Sequence, residues 1–239
     1  MVILRSLLYH LVFYATMGAA GVILAPAALA SRRMTVLLVR TWCRTMLFLL
    51  RGICGTKTQI RGRAPSGNCI VASKHQSFLD VILLAATLDS PRFVMKQELR
   101  LAPIFGWYAQ RLGCIAIDRS RGRDALDRIL LGMETQGEEL GQLVIYPQGT
   151  RVAPGSRKPY RAGAAIAASH GGLPCIPTAT NAGVFWERNS FLRHPGTAVL
   201  EFLEPLAAGM STEEAVAELE ARIEPACNLL EKKFGRPGN

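Results

Sequence analysis

Cys69-Ile70-Val71-Ala72-Ser73-Lys74-His75-Gln76-Ser77-Phe78-Leu79-Asp80 is the stretch on which the reading of this chain turns. Cys69 to Ala72 is an uninterrupted apolar run, the pattern of a short buried strand, and from Phe78 onward Leu79, Ile82, Leu83 and Ala86 recur at helical spacing. His75 therefore falls in a strand-to-helix turn. Ser77 is placed to cap the helix, so Asp80 becomes its third residue, and side chains in a first turn lean back toward the N-terminus. That aims the carboxylate at His75. A neutral imidazole can take the proton of a weakly nucleophilic hydroxyl while a carboxylate fixes its tautomer and stabilises the imidazolium. Ser-x-x-Asp before an apolar run also fits a capping box with Asp in place of Glu, and a cap needs no catalysis. Both readings stand on these residues alone. Of the other histidines, His10 lies in an apolar segment, His170 precedes Gly171-Gly172 and His194 precedes Pro195, and none has an acid placed to orient it.

Toward the N-terminus, Ser6 to Ser31 contains no formally charged residue. At ~1.5 Å per residue, a helix of about twenty residues spans a bilayer core. A cleavable signal peptide is the rival, with Arg5 as its basic start and Ala28-Leu29-Ala30 as its small-residue site. The apolar run exceeds the ~7 to 15 residues of such a segment, and Ser31-Arg32-Arg33 follows at once, which resists translocation. A retained anchor is expected, in the inner (cytoplasmic) membrane, with the catalytic domain facing the cytoplasm because the larger basic count lies on the C-terminal flank. In the next apolar segment Arg33, Arg40, Arg44 and Arg51 fall within roughly 20° of one line on a helix, with Leu38, Trp42, Met46 and Leu49 opposite. Each arginine costs about 2.5 to 3.5 kcal/mol at a bilayer centre, which disfavours a second span. The expectation is an interfacial helix with its basic stripe toward lipid phosphates; the alternative is a helix packed on its own domain with a solvated arginine face. Residues 1–55 thus read as a two-helix membrane-associated segment.

Toward the C-terminus, residues 56–239 read as one α/β domain. Strands are expected at Thr58 to Arg61, Phe93 to Met95, Gly113 to Arg119, Gln142 to Tyr146, Cys175 to Ala179 and Ala198 to Phe202. Helices are expected from Pro103 toward Leu112, up to about Gln136, from Ala162 to Ser169, and from Ser211. Ser211 and Glu214 form a capping box, and Pro225 is expected to kink or end that last helix. The alternation indicates an α/β fold with a mixed sheet flanked by helices. A chain of 239 residues suffices for this core plus an appendage. Its net charge of +10 calls for an anionic partner. Nucleic acid is not expected, since no basic stretch interleaves with aromatics and much of the arginine lies on the membrane-associated helix. The six cysteines are scattered without a Cys-x-x-Cys pair, as buried thiols of a reducing compartment would be.

His75, Arg119 and Arg151 each lie just beyond the C-terminal end of a different apolar strand, the edge at which open α/β sheets bind ligands. The planar fork of arginine suits phosphate, and Gly149 permits close backbone approach or a positive φ in the turn that carries Arg151. A base beside a phosphate clamp points to a phosphorylated acceptor. A serine hydrolase built on Ser77 would need a Gly-x-Ser-x-Gly elbow, which is absent.

Four ordered blocks then resemble the 1-acylglycerol-3-phosphate acyltransferases of the glycerophospholipid acyltransferase family. They are His75 to Asp80, Gly113 to Arg119, Tyr146-Pro147-Gln148-Gly149-Thr150-Arg151 and Cys175-Ile176-Pro177-Thr178. The resemblance implies transfer of a fatty acyl chain from an acyl thioester, on coenzyme A or acyl carrier protein, to the free hydroxyl of a lysophospholipid at a membrane surface. By position it makes His75 the general base and Asp80 its orienting partner. It places Arg119, Gln148, Gly149, Thr150 and Arg151 in the acceptor site, with Lys96 as a further basic position. No metal or other cofactor is implied; the thioester is a co-substrate. Gln148 stands where the family has glutamate, and Lys74 where many members have asparagine, so an ammonium beside His75 would favour its neutral form. A lyso-aminolipid such as lyso-ornithine lipid is the runner-up acceptor, and a non-catalytic lipid-binding module the remaining alternative.

Overall fold

The computed structural model describes residues 1–235. Seven strands form one sheet: β1 (Thr56–Arg61), β2 (Cys69–Ser73), β3 (Pro91–Lys96), β4 (Ile115–Ile117), β5 (Gln142–Ile145), β6 (Cys175–Thr180) and β7 (Gly196–Phe202). Their spatial order is β1-β7-β6-β2-β5-β3-β4. From β6 to β4 all neighbours are parallel; β7 pairs antiparallel with β6 and parallel with β1. The sheet is therefore mixed, and its parallel part brings the C-terminal ends of β2, β3, β4 and β5 to one edge.

Helices cover both faces: α1 (Val2–Ile23), α2 (Ala25–Ala30), α3 (Arg32–Cys54), α4 (Phe78–Thr87), α5 (Pro103–Leu112), α6 (Gly122–Gln136), α7 (Gly163–Gly171), α8 (Ala182–Phe185) and α9 (Thr212–Phe234). Strand β2 shows why its sequence reads as continuously apolar. Cys69 and Val71 enter the core shared with α1, α3 and α4, while Ile70 and Ala72 enter the core shared with α6, α7 and α9. Alternate side chains of a strand point to opposite faces, and here both faces are covered.

The N-terminal helices pack more closely on the domain than their sequence suggests. The N-terminal segment is three helices, and it is part of the domain core: Tyr9, Phe13, Cys43, Met46, Leu50 and Cys54 pack with Val71, Leu83 and Phe185. The arginine stripe of α3 is also not free for lipid along its length. Arg44 Nε donates to Ala86 O at 3.0 Å, and Arg40 Nη2 donates to Thr87 O at 3.4 Å and pairs with Asp89 at 2.9 Å. These are the last carbonyls of α4, which have no partner within their own helix and carry the negative end of its dipole. Arg33 and Arg51 remain exposed.

Of the two outcomes expected at Pro225, the helix does not end there: the proline lies inside α9. A proline in a helix interior costs about 3 kcal/mol, whereas fully burying one leucine or isoleucine returns about 1.5 to 3 kcal/mol. Leu219, Ile223, Cys227 and Leu230 are all buried on either side of Pro225, so packing holds the helix together.

Candidate active site

Residues 73–80 form both structures that the sequence allowed. Ser77 Oγ accepts from Leu79 N at 3.0 Å, and the capping box with Asp80 is complete. Asp80 Oδ2 accepts from the backbone N–H of Gln76 at 2.8 Å and of Ser77 at 2.7 Å. Its other oxygen, Oδ1, lies 2.9 Å from His75 Nδ1 and accepts from Tyr146 Oη at 3.3 Å. Two backbone N–H groups and the Tyr146 hydroxyl donate to this fully buried side chain, so it presents an acceptor to His75 and matches the tautomer with its proton on Nδ1. The lone pair of the imidazole is then on Nε2. The cap and the histidine partner are one residue because each oxygen has its own task.

Tyr146 completes the setting. Its ring stacks on His75 with centroids 3.9 Å apart and planes 17° apart. Burial above all, and then the Asp80 carboxylate, raise its phenol well above the ordinary range, so it stays a neutral donor. The sequence marks this position as a strand end and the first residue of a block, without a role; the stack depends on β5 lying beside β2 in parallel register.

On the same edge, Arg119 Nη1 donates to Gly149 O at 2.8 Å. Burial first, opposed by nearby Tyr146 and deepened by Arg161 and Arg151, holds the Arg119 guanidinium below its ordinary value. Three guanidinium groups therefore share one region, and Arg161 is a member that the sequence reading missed. Gly149 has φ of +69°, which explains glycine there, and the Arg161 side chain lies against the space a Cβ would occupy. The loop is tied to the histidine, for Val152 N donates to His75 O at 2.8 Å. Thr150 and Arg151 are half-buried in it. Lys96 ends β3 on this edge, with its ammonium exposed and paired to Glu98 at 2.9 Å.

Gln148 and Lys74 are placed otherwise than expected. Gln148 is 1% exposed, so it does not face an acceptor; its Nε2 donates to Lys158 O at 3.2 Å and to Glu224 Oε1 at 3.3 Å. Lys74 is 2% exposed, and its Nζ donates to both oxygens of Glu224 at 2.7 and 2.8 Å. Its charge is thus compensated by Glu224 and does not act as a free ammonium beside His75. The two departures from the family pattern meet on one carboxylate, which also accepts from Tyr160 Oη at 2.8 Å. A glutamate at 148 would set a second carboxylate against Glu224.

The family model described as Acyltransferase matches residues 56–181. Over 230 residues the chain is 32% identical to the 1-acyl-sn-glycerol-3-phosphate acyltransferase of Pseudomonas aeruginosa, covering 92% of this chain and 88% of that one. It is 30% identical over 138 residues to the human 1-acyl-sn-glycerol-3-phosphate acyltransferase alpha, covering 56% of this chain and 49% of that one. Its fold matches the crystal structure of the 1-acyl-sn-glycerophosphate acyltransferase PlsC from Thermotoga maritima with a TM-score of 0.82, over 99% of this chain and 100% of that one, at 21% identity.

Proposed function

This chain belongs to the acyltransferase family, and from that premise we propose that it transfers a fatty acyl chain from an acyl thioester to the free hydroxyl of 1-acylglycerol-3-phosphate, giving phosphatidic acid for phospholipid biosynthesis. The observation that carries the reading is the His75–Asp80 pair at 2.9 Å, set on the same sheet edge as Arg119, Arg151 and Arg161. His75 Nε2 takes the acceptor's hydroxyl proton as its oxygen attacks the thioester carbonyl. The carbon–sulfur bond then breaks, and the thiolate leaves without strong acid assistance because a thiol is acidic at about pKa 8.5. Asp80 stabilises the imidazolium through Nδ1, and the arginines hold the phosphate by charge-assisted hydrogen bonds. No metal or other cofactor enters the reaction; coenzyme A or acyl carrier protein presents the acyl chain.

The membrane reading is part of the same proposal. Helix α1 is long and apolar enough to cross a bilayer. Yet it lies along the domain: Ser6 Oγ accepts from Arg193 N at 2.9 Å near one end, and Tyr108 Oη donates to Gly21 O at 3.2 Å near the other. Its opposite face, with Ile3, Leu4, Leu7, Leu8 and Leu11, is exposed. A helix apolar toward solvent and pinned along its length suits one leaflet of a membrane, with the sheet edge on the cytoplasmic side.

The test is acyl transfer by the purified full chain in mixed micelles, from acyl-coenzyme A and from acyl-acyl carrier protein, to 1-acylglycerol-3-phosphate beside lyso-ornithine lipid. We expect transfer to the phosphate acceptor, with the loss in Arg151→Ala falling mainly on that acceptor's KM. Preference for the aminolipid would overturn the acceptor assignment.

A further inference from the structure

Helix α9 touches the site at neither the base nor the phosphate cluster, yet it grips both chain neighbours of His75. Lys74 reaches Glu224, 150 residues downstream, with both carboxylate oxygens engaged. Gln76, 1% exposed, donates through Nε2 to Glu231 Oε1 at 2.6 Å, while its Oε1 accepts from Gly183 N at 3.1 Å. Glu231 Oε2 accepts from Gly155 N at 3.0 Å, in the loop that also holds His75 O through Val152 N. Glu224 and Glu231 are seven residues apart, two turns along one face of α9. Between them Cys227 and Leu230 already fasten the helix to the sheet by apolar contact.

We propose that α9 is the positioning element of the catalytic turn, with Glu224 and Glu231 as positioning residues that fix the backbone on either side of His75. A buried ion pair is a poor source of stability, because desolvation offsets its attraction and apolar groups of equal volume serve as well. What the carboxylates add over apolar packing is direction. Each accepts from more than one element, so each couples the histidine turn to the loops at 148–160 without touching a substrate. Reaction rates are steeply sensitive to such placement, since a misplacement of about 1 Å can cost about a hundredfold.

The inference deepens the proposed transferase reading and rests on it, so its test carries a readout that needs no transfer. Wild type, Glu231→Ala, Glu231→Gln and the double variant Lys74→Met/Glu224→Met are compared as full chains, each with its thermal unfolding midpoint. We expect kcat for acyl transfer to fall at least tenfold in Glu231→Ala and in the double variant, with both KM values within about twofold. Glu231→Gln, whose single amide oxygen can accept from Gln76 or from Gly155 but not from both, recovers part of the rate. In parallel, the rate of carbethoxylation of His75 by diethyl pyrocarbonate, read by peptide mass spectrometry, changes at least threefold in the same two variants and returns partway in Glu231→Gln. Wild-type kcat and wild-type His75 labelling in folded Glu231→Ala and in the folded double variant would overturn the proposal. Altered labelling in a protein whose wild type transfers no acyl chain would instead keep the positioning role and remove the reaction.

Discussion

Asp80 was legible at the residue scale because its partners are local. A serine three positions before and a histidine five positions before are enough to specify the first turn of α4, and the structure adds that one oxygen serves each. Glu224 was not legible, because nothing near Lys74 in sequence announces a carboxylate that arrives with the last helix. Tyr146 lies between these cases: its place in a block is visible, its ring stack on His75 is not. Since phenylalanine keeps the stack and loses only a 3.3 Å hydrogen bond, Tyr146→Phe is expected to hold kcat within about threefold, from a bond of order 0.5 kcal/mol, in steady-state assays. Gln148→Glu tests the shared carboxylate. It sets a second acid within hydrogen-bonding distance of the Glu224 carboxylate, so we expect a loss of about 1 to 3 kcal/mol in denaturant unfolding, largely restored by adding Glu224→Gln.

Elements were read more easily than their partners. Unbroken apolar runs located β2, β5 and β6, and the Ser211–Glu214 box located the start of α9, because these signals are contained within the element. Helix α3 shows the limit. Its arginine stripe is a property of its own sequence, but the carbonyls that Arg40 and Arg44 meet belong to α4, so periodicity alone pointed them at lipid. Pro225 shows the same limit, since the packing that carries α9 past it without a stop comes from the sheet. The Arg40–Asp89 pair is half exposed and adds little, so the carbonyl bonds dominate. The Arg40→Ala/Arg44→Ala double variant is accordingly expected to lose about 1 to 2 kcal/mol of unfolding free energy while binding vesicles as the wild type does. A large loss of vesicle binding with unchanged unfolding would restore the lipid-facing stripe.

Taken whole, the molecule joins a sheet edge that gathers cations with an N-terminal helix that is core on one side and bare apolar surface on the other. Trp186 links the two regions: its ring packs against Tyr9 and Phe13 of α1, and its carbonyl accepts from Ser77 Oγ, the cap of α4. The exposed face of α1 is argued to seat the protein on lipid, so Leu4→Glu/Leu8→Glu is expected to abolish flotation with anionic vesicles while leaving the unfolding midpoint nearly unchanged, because neither side chain is in the core. The central claim, that His75 oriented by Asp80 is the base of an acyl transfer, is tested most directly by one comparison: initial rates of transfer from a labelled acyl thioester to 1-acylglycerol-3-phosphate for wild type, His75→Ala and Asp80→Asn, each shown to be folded. Both variants are expected to lose about 10² to 10⁴ in kcat with acceptor KM little changed. Wild-type turnover in folded His75→Ala would contradict it.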